Sequence, residues 1–409
     1  MKPTGPIPPY FSAAPDGQLQ IGGTAVEELI AEAGGTPLFV YDNNIIGGQI
    51  ARLRAAMPDG LAVFYSVTAN PNEELLSFIG RYIDGFRVVS RGELDRLKRA
   101  GLAGIPITFA GPGKRDDELE AGIAAGAVIS VESEGEARRA ILAGERRGIR
   151  PKLAVRVNPP FSIDCGKVTM EPRPSPFGID PERVPALVRG LLEADVDWHG
   201  LHLFSGGQCL DDIALIQTHR AIIECAGKIA EEIGLPIPEL NLGGGFDVPC
   251  FDGEQPLDLY RMANALHEAI CAAPELLATT RLSLELGRWI VAEAGVYLSR
   301  ILDRNTSCGE TFLTTDGGGH HLLRATGCLQ ERGHGNYPIA VATRFDAAAE
   351  EQVTVTGCLA TPHDVLGDEV MLPRAEPGDL IAVFAAGAYG PSASPQNWES
   401  RPPAHEIVV

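Results

Sequence analysis

The chain has 409 residues, of which 44% are hydrophobic, enough apolar material for one large domain and a smaller one. Its formal net charge of −20 argues against nucleic acid and anionic membranes as partners, although solubility alone is a sufficient reason for such acidity. No apolar run approaches the length of a membrane-spanning helix, and the eight cysteines include no CxxC pair, so we expect reduced thiols in a cytoplasmic protein.

The first predicted elements belong to a short N-terminal segment, 1–35, whose strand-like run GQLQIGG we expect to pair into a β domain. From residue 61 onward, β-rich runs alternate with helical patterns whose apolar residues recur at three- and four-residue steps. Strands are predicted at 61–67, 85–90, 107–111, 127–133, 152–159, 198–204, 239–245 and 281–287. Eight strands, each followed by a helix, indicate a (β/α)8 barrel, which we place at 36–284. An open, doubly wound sheet is the alternative.

The pattern changes after the eighth strand. The runs LRATGCL, YPIAVATRF, EQVTVTGCL, EVMLP and DLIAVFAAGAY are short and β-rich, and Gly, Pro and Asp turns separate them. Helical periodicity almost vanishes here. The segment 285–409 is therefore predicted to be an all-β domain.

Candidate functional residues follow from one rule: the active site of such a barrel lies at the carboxyl ends of its strands. The first strand runs into Thr68 in the stretch FYSVTANPNEELL, where Pro71 is expected as the first helical residue with Asn70 as its cap. The same rule selects Arg87, Arg156, His202, Gly207, Gly243, Gly244, Gly245, Glu285 and Arg288.

Three of these features carry distinct chemical expectations. The glycines at 243–245, with Gly206-Gly207 on the preceding strand end, suit a phosphate cradle, although turns alone also use glycine freely. Glu285, on an apolar strand, is either one half of a salt bridge or an acceptor facing a protonated ring nitrogen. His202 is expected to support the barrel wall, because a lone histidine on an apolar strand is more often a core residue than a catalyst.

Several longer segments together resemble one family. They are TPLFVYD, YSVTANPN, GPGKRDDEL, PFGID, GLHLFSGGQ, NLGGGFDVP, ELGRWIVAEAGVY, DGGGHH, TPHDVLGDEV and the stretch beginning GAYGPS. In this order they resemble the fold-type III pyridoxal-phosphate (PLP) decarboxylases, the family of ornithine and diaminopimelate decarboxylases. The resemblance covers nearly the whole chain and is strongest to the carrier-protein-linked or exosortase-associated subgroup. It implies an alanine-racemase-like barrel with a C-terminal β domain.

The resemblance also implies roles for individual residues. The glycines 243–245, Arg288 and Tyr389 are expected at the PLP phosphate, and Arg156 near the phenolic oxygen of the ring. Glu285 is expected to keep the pyridine nitrogen protonated so that the ring acts as an electron sink. Asp364 is expected to enter the active site of a partner subunit, because family members form head-to-tail homodimers with shared sites.

The chain departs from the family at four positions. Thr68 stands where the family has the lysine that forms the Schiff base with PLP, and threonine cannot form an imine. Arg87 replaces an aspartate, Ala360 replaces a cysteine, and Gly207 replaces a phosphate-binding serine. Four changes at one site indicate natural divergence, with the nucleophile lost.

Other residues are weighed as replacements. Among the six lysines, Lys114 and Lys167 follow barrel strands on the correct face and could supply the missing amine. The thiols of Cys358 and Cys209 could act as nucleophiles if a cation lowered their pKa, although a small buried thiol is the simpler interpretation. The adjacent His320 and His321 are weak candidates for metal ligands.

Three functions remain open on this evidence. The first is a decarboxylase that acts on an amino acid or an aminoacyl carrier protein, with PLP bound non-covalently if at all. The second is a repurposed enzyme that works through Arg87, Arg156, Glu285 and Cys358 without a covalent PLP link, or without PLP. The third is a non-catalytic homologue that binds a ligand or partner.

Overall fold

The computed structural model describes residues 2–162, 166, 168–169, 174–326 and 335–409. Lys167 and part of the predicted run LRATGCL lie outside this range. The chain divides into two compact units: one comprises residues 50–247 and 257–287, and the other comprises 1–49, 248–256 and 288–409.

The N-terminal elements begin with a small antiparallel sheet in the order β1-β2-β3. Its strands and the elements that follow it are β1 (Ser12–Ala13), β2 (Leu19–Ile21), β3 (Thr24–Ala25), helix α1 (Val26–Ala33), β4 (Leu38–Tyr41) and helix α2 (Asn43–Ala56). The predicted strand GQLQIGG thus forms β2.

The first unit, residues 50–247 and 257–287, is a closed parallel barrel. Its strands are β5 (Ala62–Ser66), β6 (Gly85–Val88), β7 (Ile107–Phe109), β8 (Val128–Val131), β9 (Lys152–Val157), β11 (Asp197–Leu203), β13 (Glu239–Gly244) and β14 (Arg281–Leu286). They pair in this order, and β14 closes the barrel onto β5. A two-stranded sheet joins β10 (Val168–Thr169) to β12 (Gly206–Gly207). The predicted (β/α)8 barrel is confirmed, and the open sheet is excluded.

Helices alternate with these strands. They are α3 (Glu73–Ile79), α4 (Arg91–Arg99), α5 (Asp116–Ala124), α6 (Glu134–Arg147), α7 (Val184–Glu193), α8 (Asp212–Ile233) and α9 (Leu259–Cys271). Ser90, Ser133 and Asp211 cap α4, α6 and α8 by accepting hydrogen bonds from first-turn N–H groups.

The predicted start of the first barrel helix is wrong by two residues. Residues Val67–Ala69 form a 3₁₀ turn, and α3 begins at Glu73 with Asn72 as its cap. The side-chain oxygen of Asn70 accepts the N–H of Asn72, so Asn70 builds a turn before the helix.

The second unit, residues 1–49, 248–256 and 288–409, contains a mixed sheet in the order β17-β20-β15-β16-β18-β19. Helix α10 (Arg288–Val291) precedes it, and its strands are β15 (Gly295–Ser307), β16 (Glu310–Thr315), β17 (Ile339–Val341), β18 (Glu351–Thr356), β19 (Val365–Leu372) and β20 (Leu380–Val383). The described part of the predicted run LRATGCL, which begins at Leu323, is not a strand, because 323–326 form a 3₁₀ turn.

One strand from the N-terminal part of the chain completes this sheet. Strand β4 pairs antiparallel with β15 and parallel with β21 (His405–Val408). All four side chains of β4 are buried. The apolar cluster around it includes Leu38, Val40, Val296, Leu298 and Phe384.

Candidate active site at the carboxyl ends of the barrel strands

Glu285 is the centre of a polar cluster inside the barrel. Its carboxylate is buried, and its Oε1 atom accepts hydrogen bonds from Asn241 Nδ2 at 2.7 Å and Thr108 Oγ1 at 3.1 Å. The other oxygen, Oε2, lies 3.3 Å from Arg87 Nε and 3.5 Å from His202 Nε2. Neither of these two nitrogens makes a well-aligned hydrogen bond within the described residues. Glu285 is thus held by one oxygen while the other faces two buried donors.

Arg87 extends from β6 toward Glu285, and its Nη1 donates to Ser66 Oγ at 3.3 Å. The salt-bridge interpretation of Glu285 is therefore correct for this structure. Burial alone would raise the pKa of Glu285, but His202 and Arg87 together with the hydrogen bonds from Asn241 and Thr108 hold that pKa below its usual value. The carboxylate is ionised at neutral pH.

His202 is buried on β11 and neutral. Its Nδ1 lies 3.0 Å from the Ser130 hydroxyl. Burial lowers the pKa of His202 to about 3, so the imidazole carries no charge at neutral pH. Its burial agrees with a core position in the barrel wall, and its Nε2 faces Glu285.

Arg156 forms the second ion pair of the barrel interior. Its Nη1 lies 3.1 Å from Glu132 Oε1, and both side chains are almost fully buried. Its guanidinium also lies 5.4 Å from the ring centre of Phe177 and 6.0 Å from that of Phe204. Burial lowers the pKa of Arg156, although Glu132 opposes this effect. Arg156 is therefore fixed by a carboxylate and two rings.

Lys114 forms the third ion pair, and all of its donors are used. Its ammonium donates to the carbonyl oxygens of Gly111 and Ser130 at 2.7 and 2.9 Å and to Glu136 Oε1 at 3.1 Å. Its side chain is 1% exposed. Burial lowers the pKa of Lys114, and Glu136 and Glu132 oppose that shift. Its three donors are occupied in this structure, which disfavours Lys114 as a replacement for the missing lysine; that role stays an untested prediction.

The glycines at the end of β13 are required by the barrel backbone itself. A Cβ atom at Gly244 would lie 1.9 Å from the carbonyl oxygen of Glu285, and one at Gly245 would lie 2.5 Å from that of Gly206. Gly243 and Gly245 also have positive φ angles. Gly207 differs, because a Cβ there meets nothing closer than 3.6 Å. The serine found in the family would fit at 207, so its absence changes the chemistry of the site without relieving a clash.

Thr68 lies in the 3₁₀ turn after β5, near a carboxyl group that the sequence analysis missed. Glu93 Oε2 accepts the backbone N–H of Val89 at 2.8 Å. Burial raises the pKa of Glu93, and the Thr68 hydroxyl and the Arg87 charge lower it without cancelling that effect. Glu93 follows Ser90 by three residues, so its sequence signal is that of a helix-capping residue.

The remaining candidates, Cys358, Asp364, Arg288 and Tyr389, belong to the second unit. Cys358 Sγ donates to the carbonyl oxygen of Asp316 at 3.4 Å, and burial raises the pKa of the thiol. A thiol with a raised pKa is a poor nucleophile at neutral pH. Cys209, in the barrel, is disulfide-bonded. The expectation of reduced thiols is wrong at Cys209, whose oxidised sulfur is not a thiol nucleophile, and the raised pKa of Cys358 argues against the nucleophilic role of that thiol.

Asp364 joins its own loop to the loop that contains Gly319. Its two oxygens accept the backbone N–H groups of Gly319 at 2.6 Å and Leu359 at 2.8 Å. Burial raises the pKa of Asp364, and these two hydrogen bonds oppose the shift. The predicted role of Asp364 in a partner's site stays a prediction.

Arg288 and Tyr389 lie together in the second unit. The Arg288 guanidinium is 4.8 Å from the ring centre of Tyr389, and that of Arg324 is 5.5 Å from the same ring.

His321, one of the two histidines considered as metal ligands, is held by other groups. Its Nδ1 lies 3.0 Å from the Tyr297 hydroxyl, and its Nε2 lies 3.0 Å from the carbonyl oxygen of Pro402. No cluster of metal-ligating side chains occurs within the described ranges.

Several residues of the barrel cluster were missed by the sequence analysis: Thr108, Ser130, Glu132 and Asn241. Glu132 ends a strand, so the strand-end rule could have selected it. Asn241 is a polar residue in the apolar strand ELNLGGG, two residues before the glycines. The other two carry no distinguishing sequence signal.

The closed parallel barrel with an ionised polar cluster at the carboxyl ends of its strands defines an α/β-barrel protein. Comparison with known proteins narrows the class. Residues 44–292 match the family described as pyridoxal-dependent decarboxylase, pyridoxal binding domain. The chain belongs to this family of PLP-dependent decarboxylases.

Individual relatives agree with this assignment. The chain is 32% identical over 380 residues to an L-glutamyl-[BtrI acyl-carrier protein] decarboxylase of Niallia circulans, which covers 91% of this chain and 88% of the relative. It is 32% identical over 398 residues to a diaminopimelate decarboxylase of Archaeoglobus fulgidus, and the match covers 96% of this chain and 92% of that relative. Its structure superposes on that of diaminopimelate decarboxylase from M. jannaschii in complex with L-lysine, with a TM-score of 0.86, 26% identity and 98% and 92% of the chains covered.

The barrel residues fit PLP at the ring-nitrogen end. Asn241 and Thr108 bind one oxygen of Glu285, and the other accepts no well-aligned hydrogen bond within the described residues. A protonated ring nitrogen requires such a fixed, ionised acceptor. When bound, PLP supplies the electron sink of the family's reactions. Glu285 would hold its ring nitrogen, and by the family resemblance the glycines 243–245 would hold its phosphate.

Within the described residues, no helix is long and apolar enough to span a membrane.

Proposed function

We propose that the chain binds PLP without a covalent link, together with an amino-acid substrate that is free or tethered to a carrier protein. In this proposal it does not perform the family's ordinary, lysine-dependent decarboxylation. The L-glutamyl carrier-protein decarboxylase among its relatives supports the tethered substrate. The head-to-tail homodimer is part of the proposal and would give one sedimenting species of twice the chain mass.

The observation that carries the proposal is the state of the lysines. Position 68 is threonine, and Lys114 donates to three buried acceptors. The other described lysines, Lys2, Lys98, Lys152 and Lys228, are exposed. Lys152 starts β9 and so lies at the amino end of the barrel, opposite the strand ends that carry the site. These positions support the proposal that none of the described lysines takes the place of the one missing at 68.

The residues that remain can bind, orient and hold charge. Glu285 is ionised and fixed. His202 is neutral and presents Nε2. Arg87 places a permanent positive charge beside Thr68, where it can attract a substrate carboxylate. The mobile amine that would exchange protons with the substrate is missing, and Arg87 cannot replace it because a guanidinium does not deprotonate in proteins.

The proposal is tested by titrating the protein with PLP, reducing with borohydride and measuring the intact mass. The wild type is expected to bind PLP, seen as a change in absorption, and to show no pyridoxyl adduct after reduction. Thr68→Lys is expected to gain the adduct at one equivalent per chain. Thr68→Ser is the matched control and is expected to behave like the wild type.

Each outcome is decisive. An adduct on the wild-type chain, located by peptide mapping, would show that another amine has replaced the lysine. Failure of the wild type to bind PLP would contradict the proposal and favour an enzyme that works without PLP.

A second candidate function, a repurposed site without PLP, is favoured by one observation. Arg87 Nε lies 3.3 Å from the oxygen of Glu285 that a ring nitrogen would need. If Arg87 occupies this acceptor permanently, PLP and Arg87 compete for it. The site would then serve an anionic ligand bound by Arg87.

The two candidate functions predict different effects of Arg87→Gln on the affinity for PLP. If Arg87 competes with the ring nitrogen, this variant binds PLP at least about tenfold more tightly, because Glu285 then lacks its other charged partner. If PLP binds beside Arg87, its affinity is unchanged or weaker. Arg54→Gln, which removes an exposed ion pair with Asp84 elsewhere in the barrel, is the control and is expected to leave PLP affinity unchanged.

A further inference from the structure

A second cavity lies at the opposite end of the barrel from the candidate active site. It encloses about 520 Å³ and is lined by residues at the starts of strands, including Ala62, Ile107 and Arg281. Barrel interiors are normally filled there by layers of bulky branched side chains, and the amino-terminal face serves stability. A volume of this size lies within the range of small-molecule sites.

The sequence explains why the space is not filled. Small residues stand at several lining positions: Ala62, Gly104, Ala125, Gly126 and Ser283. The walls between them are apolar and consist mainly of Phe64, Ile105, Ile107 and Leu282. This combination leaves an open pocket with an apolar interior.

The charged side chains at the rim of the cavity differ in whether they have a counter-ion. Asp84 accepts from Arg54 at 2.6 Å and from the backbone N–H of Val63 at 2.7 Å. Glu239 is paired with Arg281 and lies 3.3 Å from His199 Nδ1. Both carboxylates are therefore neutralised by neighbours.

Lys152 is the exception among the rim charges. It lines the cavity at the start of β9, and its ammonium makes no ion pair with any residue in the described part of the chain. His199 is already matched, because it lies between the carboxylates of Glu239 and Asp197, and these two partners raise its pKa against the opposing effect of burial. The rim thus offers a cation, Lys152, that has no counter-ion among the residues that the structure describes.

The cavity also adjoins the candidate active site, on the side of that site that faces the amino ends of the strands. A smaller chamber of about 30 Å³, enough for about one water molecule, is lined by Glu285, His202, Asn241 and Ser130. The residues that line both spaces are Phe64, Thr108, Val128, His199, Glu239 and Ser283. An occupant of the larger cavity would therefore touch the residues beneath Glu285.

We propose that the amino-terminal end of the barrel is a binding site for a small anionic amphiphile. The ligand has a compact apolar body, which packs against Phe64, Ile105, Ile107 and Leu282, and a carboxylate, which pairs with Lys152. This site is separate from the one at the strand carboxyl ends.

The test uses octanoate as the probe and 1-octanol as its neutral counterpart, with calorimetric titration of the full chain. Octanoate is expected to bind the wild type saturably at one site per chain. Ala125→Phe, an exposed position with an ordinary helical φ of −82°, is expected to fill the cavity and abolish binding. Ala124→Phe, at the neighbouring last residue of α5 and outside the lining, is the matched control and is expected to bind as the wild type does.

The charge is tested separately. Lys152→Gln is expected to weaken octanoate binding about tenfold, the effect of one charge-assisted contact, and to leave 1-octanol binding unchanged. Lys228→Gln, an exposed lysine on α8, is the control. Absence of saturable octanoate binding, or equal binding by the wild type and Ala125→Phe, would overturn the site. An unchanged octanoate affinity in Lys152→Gln would overturn its preference for anions.

Discussion

At the scale of single residues, the buried charges of the barrel unit form three matched pairs. Arg87 pairs with Glu285, Arg156 with Glu132 and Lys114 with Glu136. Buried pairs of this kind contribute little net stability over apolar residues, but the loss of one partner leaves a charge in a poorly solvated place. Each of these three carboxylates is therefore needed for the stability of the fold, in addition to any role in the candidate site.

Glu132→Gln is expected to lower the free energy of unfolding by about 3–5 kcal/mol, because it leaves the buried guanidinium of Arg156 without its counter-ion. Chemical denaturation at neutral pH measures the effect. Asp95→Asn, which removes an exposed pair with Lys98, is expected to leave the denaturation midpoint within error. Equal midpoints for Glu132→Gln and the wild type would show that Arg156 finds another partner.

Buried histidines predict the response to acid. Burial lowers the pKa of His219, on α8, to about 4, whereas an unfolded histidine titrates near 6.5. Between these values the unfolded chain binds a proton that the folded chain does not, so stability falls as the pH drops from about 6.5 toward 4. His219→Gln should therefore reduce the loss of stability between pH 7 and pH 5 by roughly 1–2 kcal/mol.

The measurement is denaturant unfolding at both pH values. His363→Gln, at an exposed position, provides the control with the same change in chemistry. If His219→Gln and the wild type lose equal stability on acidification, His219 is protonated in the folded state and the predicted direction is wrong.

At the scale of elements, two glycines at the strand ends differ in whether the backbone leaves room for a side chain. Gly244→Ala is expected to destabilise the barrel by more than the roughly 1–3 kcal/mol typical of overpacking, because its Cβ would meet a backbone oxygen that cannot move alone. Gly207→Ala is expected to be tolerated. Thermal unfolding of the two variants compares them directly, and similar unfolding temperatures would show that β13 shifts freely against β14.

The sequence predicted the elements of the barrel better than the contacts within it. All eight strands were located, because each is a short apolar run between helical periods. The helix after Thr68 was placed two residues early, since Asn70 and Asn72 carry the same capping chemistry. The Arg87–Glu285 pair was foreseen only as one alternative, because strand position does not reveal which way a long side chain turns. The amino-terminal cavity gave no signal, because it is formed by the absence of large side chains on several strands.

At the scale of the whole molecule, the second unit is assembled from three separate parts of the chain. Strand β21 covers one edge of β4, and the Tyr41 hydroxyl donates to Glu406 at 2.9 Å. Deletion of 405–409 would expose this apolar strand as a sheet edge, which is a template for aggregation. We expect a lower unfolding temperature and visible aggregation on heating.

The matched variant Glu406→Gln removes the carboxylate but keeps β21. It is expected to unfold close to the wild type, because the backbone pairing of β21 with β4 is retained. Light scattering during a thermal ramp distinguishes the truncated chain from Glu406→Gln. A truncated chain that stays monodisperse and unfolds at the wild-type temperature would show that β21 does not protect β4.

The pairing of β4 with β21 also sets an order of events during synthesis. Tyr41 and Glu406 are separated by 365 positions. At the usual rate of about 5–20 residues per second, β4 waits roughly 20–70 seconds before its partner has been translated. The barrel strands, all made within that interval, can close first. The four apolar side chains of β4 must meanwhile be shielded by other parts of the chain or by chaperones, so the newly made protein is most vulnerable just before its last strand is added.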